Sequence, residues 1–404
     1  MKLLIIKIMA VASLLLCQGC QTTSVSEKLQ VRELTLPAVG VNQHHHLAHT
    51  SDDKLIVSWV ETKGPKNTVR FAIYDNAAWS PTQTVISTDS KLAASPVVLG
   101  MSDSSLTAAW MQSVKNEKDP YAANIYLAHS KDGGQTWTAP LKPYGEQARI
   151  YDAQMSLTPL PDALLALVWT DSRHVNHDED ETSPNKTSRY QLMAAVLGKD
   201  RLVGKEITLD NDVCSCCSVN TDVANDELMT VYRDHLKGEV RDISAVRWNH
   251  DGVIHAAPVH DDHWVINGCP SNGPSVDLSD KQTVVAWFSA GDGKGTLRLG
   301  FASNSNAFKP PIVVDDHAIG FGKALLLDDG SAVVAWRSNA GSEEELLVAR
   351  VTPGGEVTER TTVFRGSFAR WPSNYLSLEK IGNEVYIAWT DPIKKTVRLV
   401  AVAL

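Results

Sequence analysis

The sequence predicts an all-β fold, a β-propeller of seven four-stranded blades, with six blades as the alternative. A short apolar run ending in an aromatic residue recurs at intervals of roughly 50 to 60 residues, the period of propeller blades. A polar loop and a second apolar strand follow each aromatic, and no long segment has the 3.6-residue apolar period of a helix. The recurring aromatics are Trp59, Trp110, Trp169, Tyr232, Trp287, Trp336 and Trp389.

The N-terminal strand is expected to complete the last blade. The final repeat ends on the apolar run TVRLVAVAL, which no outer strand follows. Residues 28–38, KLQVRELTLPA, precede the first repeat and can supply the missing strand. That pairing would close the ring and leave no free sheet edge. We therefore predict a single propeller domain over residues 28–404.

The first residues have the features of a bacterial lipoprotein signal. A positively charged start precedes an apolar run too short to span a membrane comfortably, and the pair Gly19-Cys20 follows. Residues 1–19 are therefore predicted to be a signal peptide and residues 20–27 a tether, with a lipid on Cys20 as the membrane anchor. Ordinary signal-peptidase cleavage is the alternative. Because Gln21 is not the aspartate that retains lipoproteins at the inner membrane, we predict an exported outer-membrane lipoprotein facing the periplasm or cell surface.

The net charge of the chain bears on which kinds of molecule it binds. The formal net charge is −9, and no stripe of basic residues appears, which argues against a nucleic-acid partner. Loops from all blades of a propeller converge on the rim of its central channel. We therefore expect a small molecule, a glycan or a protein to bind at that rim, and we expect the protein to be a monomer.

Cysteines are the most distinctive feature of the predicted rim. Four of them remain in the folded part of the chain: Cys214, Cys216, Cys217 and Cys269. Cys214 lies 18 residues before Tyr232, and Cys269 lies 18 residues before Trp287. Because the repeat aromatics mark equivalent positions, these two cysteines are expected at the same rim of adjacent blades. The spacing therefore predicts a cluster of cysteines at one mouth of the channel.

Two chemistries compete for this cluster. Thiolates and imidazoles select copper or zinc, and two neighbouring loops are rich in histidine. The first hypothesis is therefore a site that binds a thiophilic metal or cycles between thiol and disulfide. Structural disulfides are the alternative in an oxidising compartment, where only a bridge to Cys269 closes a loop of ordinary length. The predicted metal ligands are Cys214, Cys216, Cys217, Cys269, His174, His177 and His263.

The segment SKDGGQTW, residues 130–137, matches the Asp-box S-x-D-x-G-x-x-W. With the aromatic repeats it resembles the sialidase-like, BNR-repeat propeller superfamily. The segments DVCSCC and HDDHWVINGCP resemble an exported bacterial subgroup with a C-x-C-C motif. The resemblance implies a propeller, and the sialidase apparatus consists of three arginines that bind a carboxylate, a tyrosine nucleophile paired with a glutamate, and an aspartate.

That apparatus has candidates at the predicted rim, although the first blade has His44–His46 near the place of the first arginine. The second hypothesis is therefore an exo-acting, sialidase-like glycoside hydrolase. The third is a non-catalytic propeller that binds glycan or protein and uses the cysteines as structural bridges. The candidate catalytic residues are Arg233, Arg241, Glu239, Arg370 and Tyr151.

Overall fold

The computed structural model describes residues 29–114, 122–175, 189–199, 203–303, 307–369 and 375–404, with the backbone alone for 151–154 and 203–204. Seven blades form a ring, as predicted. The first strand of each blade lies at the channel and contacts the first strands of the blades on either side. The predicted signal peptide and tether lie outside the described residues. Within the described part of the chain, no helix is long and apolar enough to cross a membrane.

The strands follow one another blade by blade in chain order. Blade 1 contains Val41–His49, Leu55–Lys63 and Lys66–Asp75, with both Ala78–Trp79 and Gln83–Thr88 on its outer side. Blade 2 contains Val97–Gly100, Leu106–Ser113 and Ala122–Ser130. Blade 3 contains Ile150–Pro159, Leu165–Asp171, Gln191–Leu197 and Val203–Asp210. A 3-10 helix, Pro161–Ala163, joins the first two strands of blade 3.

The remaining blades are regular four-stranded sheets. Blade 4 contains Asn220–Ala224, Glu227–Arg233, Ile243–Asn249 and Gly252–His260. Blade 5 contains Ser275–Leu278, Gln282–Ser289, Thr296–Ser303 and Ile312–Asp315. Blade 6 contains Ala318–Leu326, Ala332–Ala340, Glu343–Val351 and Val357–Gly366. Blade 7 contains Ser377–Ile381, Glu384–Asp391, Thr396–Ala403 and the N-terminal Val31–Leu34.

The ring closes through the N-terminal strand. Val31–Leu34 pairs antiparallel with Thr396–Ala403, and the register joins Val31 to Val402. This confirms the predicted closure. Blades 2 and 3 also share a sheet, because Ile150 and Tyr151 pair with the end of Ala122–Ser130. The fourth strand of blade 2 is reduced to one isolated bridge, between Leu127 and Leu141.

The repeat aromatics form the core between the blades. All seven lie on the second strand of their blade, and each side chain is no more than 2% exposed. A large aromatic side chain buries roughly 150–250 Å² of surface, so these seven positions carry much of the packing between neighbouring sheets. Their periodic burial is the physical reason for the repeat seen in the sequence.

Side chains join neighbouring first strands around the channel. Asn220 Oδ1 accepts the amide of Val276 at 2.8 Å, and Asp222 Oδ2 accepts the amide of Leu278 at 2.7 Å. Neighbouring first strands do not pair directly with each other, so their backbone amides need other acceptors. These polar side chains therefore satisfy the edges of the strands that line the channel.

The Asp-box is a turn on the outer side of blade 2. Gly134 donates its amide to Ser130 Oγ at 2.8 Å, and the same hydroxyl donates to Asp132 Oδ1 at 2.8 Å. Gly134 has φ +89°, and a Cβ there would lie 2.3 Å from the Phe71 ring. The Trp137 ring meets Phe71 edge-on at 5.9 Å. The motif therefore fixes the packing of blade 2 on blade 1, away from the channel.

Candidate functional site

The four cysteines meet where the first strands of blades 4 and 5 begin. Cys214, Cys216 and Cys217 precede Asn220–Ala224, and Cys269 precedes Ser275–Leu278. The segment before Asn220 lies against the second strand of its own blade, because Cys214 donates its amide to the carbonyl of Arg233 at 3.0 Å. The cluster thus lies at the rim where loops after the second strands also converge.

Each of the four sulfurs is bonded to or in contact with another sulfur of the cluster. Cys216 and Cys269 are joined by a disulfide with a Cα–Cα distance of 6.1 Å. The Cys214 sulfur lies 3.6 Å from the Cys216 sulfur and 3.5 Å from the Cys217 sulfur. Cys214 and Cys217 are free thiols, 3% and 1% exposed, whereas Cys269 is exposed. The four sulfurs therefore lie in a row of contacts from a surface disulfide to a buried pair of thiols.

This pairing changes the predicted ligand set. A disulfide removes two thiolates, so Cys216 and Cys269 are not thiolate ligands in this form of the protein. The ligand atoms of Cys214, Cys216 and Cys217 lie within 4.8 Å of one another, so this trio could hold a metal ion once Cys216 is reduced. In the described part of the chain this is the single group of three or more cysteine, histidine or acidic side chains with such geometry.

The two free thiols have opposite tendencies to ionise. The hydrogen bond with Cys217, followed by the charges of Arg241 and Arg233, lowers the pKa of Cys214 to about 6 against the opposing effect of burial. Burial raises the pKa of the Cys217 thiol well above its ordinary value. Cys214 is therefore the thiol of the pair that ionises more readily, and Cys217 is the one that keeps its proton.

A close backbone approach fixes the cysteine segments against each other. Asn272 donates its amide to the Cys217 sulfur at 3.4 Å. A Cβ at Gly273 would lie only 2.0 Å from the carbonyl oxygen of Ser218. Only glycine fits such an approach without moving the backbone. The segment that carries Cys269 is therefore seated directly on the segment that carries the other three cysteines.

Arg233 lies inside the protein beneath this junction. Its side chain is 1% exposed; Nη2 donates to the carbonyls of Asn272 and Phe288 at 2.8 Å each, and Nη1 donates to the carbonyl of Arg241. Its guanidinium also lies 4.8 Å from the Trp264 ring centre. The sequence places Arg233 among the carboxylate-binding candidates, but the structure uses its donors to hold the backbone of two blades together.

Arg241 and Glu239, two further candidates, form an ion pair near the thiols. Arg241 Nη2 lies 2.6 Å from Glu239 Oε2, and this hydrogen bond lowers the pKa of the carboxyl group. His235 Nε2 lies 3.2 Å from the other Glu239 oxygen, and His235 Nδ1 lies 2.9 Å from Asp212. The Asp212 contact raises the pKa of His235. These charged side chains form a hydrogen-bonded network on the rim of blade 4.

Two of the predicted histidine ligands, His263 and His174, do not belong to the cysteine group. His263 is exposed, and its backbone amide donates to Asp242 at 2.8 Å. His174 is exposed at the end of the second strand of blade 3. Tyr151 lies on the first strand of blade 3, where the backbone alone is described. His177 and Arg370 lie outside the described residues.

The central channel contains Lys323, which no motif of the sequence had indicated. Lys323 borders two cavities, one of about 160 Å³ on the side of the cysteine rim and one of about 300 Å³ farther along the channel. Burial lowers the pKa of Lys323 to about 8 and the pKa of His46, beside it, to about 4. A lysine in the apolar strand AIGFGKALL was the available signal, because lysine is seldom placed among apolar residues without a structural or functional reason.

Replacing Lys323 with methionine is expected to stabilise the fold. The desolvated amine opposes folding, and we expect an increase of about 1–3 kcal/mol in the free energy of unfolding at pH 7. Because the folded-state pKa is about 8 and lies below the unfolded value, the gain is full below pH 8 and fades as pH rises further. Urea unfolding at several pH values measures this. The same change at the exposed Lys394 is the control, and equal effects at both positions would contradict the explanation.

Comparison with known proteins supports the fold and leaves the family open. No protein-family model matches the chain, and no curated protein does. A protein of unknown function from Dyadobacter fermentans is similar in structure, with 12% identity, a TM-score of 0.52, and 94% of this chain and 99% of that chain covered. The subgroup and sialidase assignments stay predictions.

A polysaccharide lyase is similar over a comparable length. This PL25 ulvan lyase, bound to -[GlcA(1-4)Rha3S]-, has 14% identity, a TM-score of 0.54, and 91% of this chain and 95% of that chain covered. A second structure of a PL25 ulvan lyase gives 13% identity and a TM-score of 0.55, with the same coverage. Identities this low show a shared propeller fold.

Proposed function

We propose that the rim cysteine cluster carries out thiol–disulfide exchange. The observation that carries this proposal is the contact of 3.6 Å between the Cys214 sulfur and the Cys216 sulfur of the surface disulfide. The attacking species in such exchange is a thiolate, and its optimal pKa lies near the ambient pH. The lowered pKa of Cys214 agrees with that requirement.

The exchange proceeds in two balanced steps. The Cys214 thiolate attacks the Cys216 sulfur; the Cys214–Cys216 bond forms, and the electron pair of the broken bond leaves on Cys269, which is exposed and takes a proton from water. The Cys217 thiolate, after losing its proton, then attacks Cys214 and releases Cys216. A disulfide has moved from Cys216–Cys269 to Cys214–Cys217 with no external oxidant. The surface dithiol thus formed can reduce a disulfide of a protein or small molecule.

A Cys217→Ser variant tests the first step. Without Cys217 the second step is blocked, so a Cys214–Cys216 disulfide and a free Cys269 thiol should accumulate. Alkylation under denaturing acid quench, followed by peptide mass spectrometry, identifies the pairing. Ser215→Ala is a matched control within the same turn. Cys216–Cys269 as the only disulfide in Cys217→Ser, even after incubation at pH 8, would contradict the proposal.

The membrane anchor is a separate part of the proposal. We place the lipid on Cys20 and the propeller outside the cytoplasm, at the outer membrane, where disulfides persist. Cys20→Ser is expected to abolish incorporation of labelled fatty acid and to release the protein into the soluble envelope fraction. Cys17→Ser is the control and should keep the label. Full labelling of Cys20→Ser would overturn the assignment.

A glycan-active channel is the second candidate function. Lys323 and the partly buried His46 border one cavity on the side of the cysteine rim, and a lyase is similar over nearly the whole chain. Neutral imidazoles and a lysine of lowered pKa suit acid–base chemistry on a uronate or another acidic sugar. The test measures product release from sialoside and uronate substrates by the wild-type protein and by Lys323→Met. Activity that Lys323→Met retains in full would remove the channel from consideration.

A further inference from the structure

We infer that the surface disulfide gates a copper(I) site: reduction of Cys216–Cys269 exposes three thiolates for Cu(I), and reoxidation closes the site. This inference rests on the proposed redox activity of the cluster. It names the ligand of the reduced form and the event that regulates its binding. Three observations carry it, namely the separation of the sulfurs, the composition of the donor set and the unequal exposure of the cysteines.

The sulfur separations fit a single small ion. A metal–sulfur bond of about 2.3 Å places the sulfurs of a three- or four-coordinate ion roughly 3.8–4.0 Å apart. Cys214 lies 3.6 Å from Cys216 and 3.5 Å from Cys217, and all three sulfurs lie within 4.8 Å of one another. Side-chain rotations that move each sulfur by a few tenths of an ångström therefore suffice to place an ion between the three sulfurs.

The donor set favours Cu(I) over Zn(II). The group contains sulfur alone, and in the described part of the chain no imidazole or carboxylate belongs to it. Structural zinc is almost always bound by four protein ligands, whereas three soft thiolates satisfy cuprous ion. The positive charges of Arg233 and Arg241 act on Cys214 and offset the negative charge of such a complex.

Control of the site by the disulfide follows because one cysteine belongs both to the disulfide and to the group of three sulfurs. Cys216 is the member of the trio that the disulfide removes, and its partner Cys269 stands exposed outside the trio. An external dithiol supplies the two electrons and two protons that convert the disulfide into two thiols and is itself oxidised to a disulfide. Cu(I) then binds the Cys214 thiolate and displaces the protons of Cys216 and Cys217. Exchange with an external disulfide, which is itself reduced to a dithiol, re-forms the Cys216–Cys269 bond, removes one ligand in three and releases the ion.

The experiment titrates the full-length protein, purified anaerobically, with Cu(I) against a chromogenic Cu(I) chelator. We expect one equivalent to bind tightly after reduction, and affinity at least about 100-fold weaker before it, because removal of one of three ligands weakens the site strongly. Cys269→Ser, purified anaerobically, should bind without any reductant, since the surface disulfide with Cys216 cannot form in it. Cys216→Ser should bind weakly in both states, and Ser215→Ala should behave as wild type.

The outcomes separate this inference from the proposed function. The alkylation map of Cys217→Ser measures the exchange without metal. Its result therefore tests the proposed exchange independently of copper binding. If exchange occurs but neither the reduced protein nor Cys269→Ser binds Cu(I), the copper site is overturned and the exchange remains. Zn(II) that competes equally with Cu(I) for Cys269→Ser overturns the choice of ion, and equal Cu(I) affinity before and after reduction overturns the gate. Circular dichroism of each variant checks its fold.

Discussion

Replacing Cys214 with serine is expected to slow thiol–disulfide exchange by about 100-fold or more, because a hydroxyl is not a nucleophile toward disulfides at neutral pH. Cys214 is the sulfur that contacts both the disulfide and the second thiol. The measurement is the rate at which the Cys269 thiol appears after the protein is moved from acid to pH 7.5. A rate unchanged in Cys214→Ser would mean that another thiol attacks the disulfide.

The same step should depend on pH in the metal-free protein. Since the pKa of Cys214 is about 6, the rate should rise through pH 6 and level off above pH 7. The hydrogen bond with Cys217 is the largest cause of this low pKa. Cys217→Ala should therefore move the inflection to higher pH, whereas Cys217→Ser retains a donor and should move it less. Identical inflections in the two variants would assign the low pKa to the arginines instead.

Replacing Arg233 with methionine is expected to destabilise the propeller by about 3 kcal/mol or more. The change leaves the carbonyls of Asn272, Phe288 and Arg241 without their buried donor. Guanidinium chloride unfolding measures the loss. Arg241→Met is the matched control, because its ion pair with the partly exposed Glu239 should contribute no more than about 1 kcal/mol.

This comparison also tests the sialidase-like hypothesis for Arg233. An arginine that binds a substrate carboxylate would, when replaced, impair substrate binding and leave the free energy of unfolding nearly unchanged. A loss of stability of the expected size instead identifies Arg233 as a structural residue. Stability equal to that of the wild-type protein would contradict the structural role derived from its three carbonyl contacts.

The sequence was sufficient for the fold because burial imposes a period. Each repeat aromatic is buried at the same position of its blade, and the pattern survives large differences in loop length. The sheet shared by blades 2 and 3 was not predictable, since the pairing of Ile150 with Ala123 depends on where a loop places two strand ends. Closure by Val31–Leu34 was predictable, because an unpaired sheet edge has to be covered.

The site was predictable in position but not in chemistry. Equivalent spacing from the repeat aromatics placed Cys214 and Cys269 in neighbouring blades, and the structure brings both into one cluster. The partner of Cys269 is nevertheless Cys216, because side-chain directions within a tight turn are set by backbone angles that spacing does not reveal. The direction of the Arg233 side chain, which points inward and packs on Trp264, could not be predicted from spacing for a similar reason.

Closure of the ring has a consequence for biogenesis. Residues 31–34 find their partners only at residues 399–402, so almost the entire chain must be available before the circle can be completed. Contacts between such distant residues form slowly. A chain emerging from a translocation channel would therefore remain open until its last strand arrives. With the lipid anchor proposed at Cys20, the membrane would hold the N-terminal strand while the C-terminal strand is delivered, and completion of transport would then be the trigger for final folding.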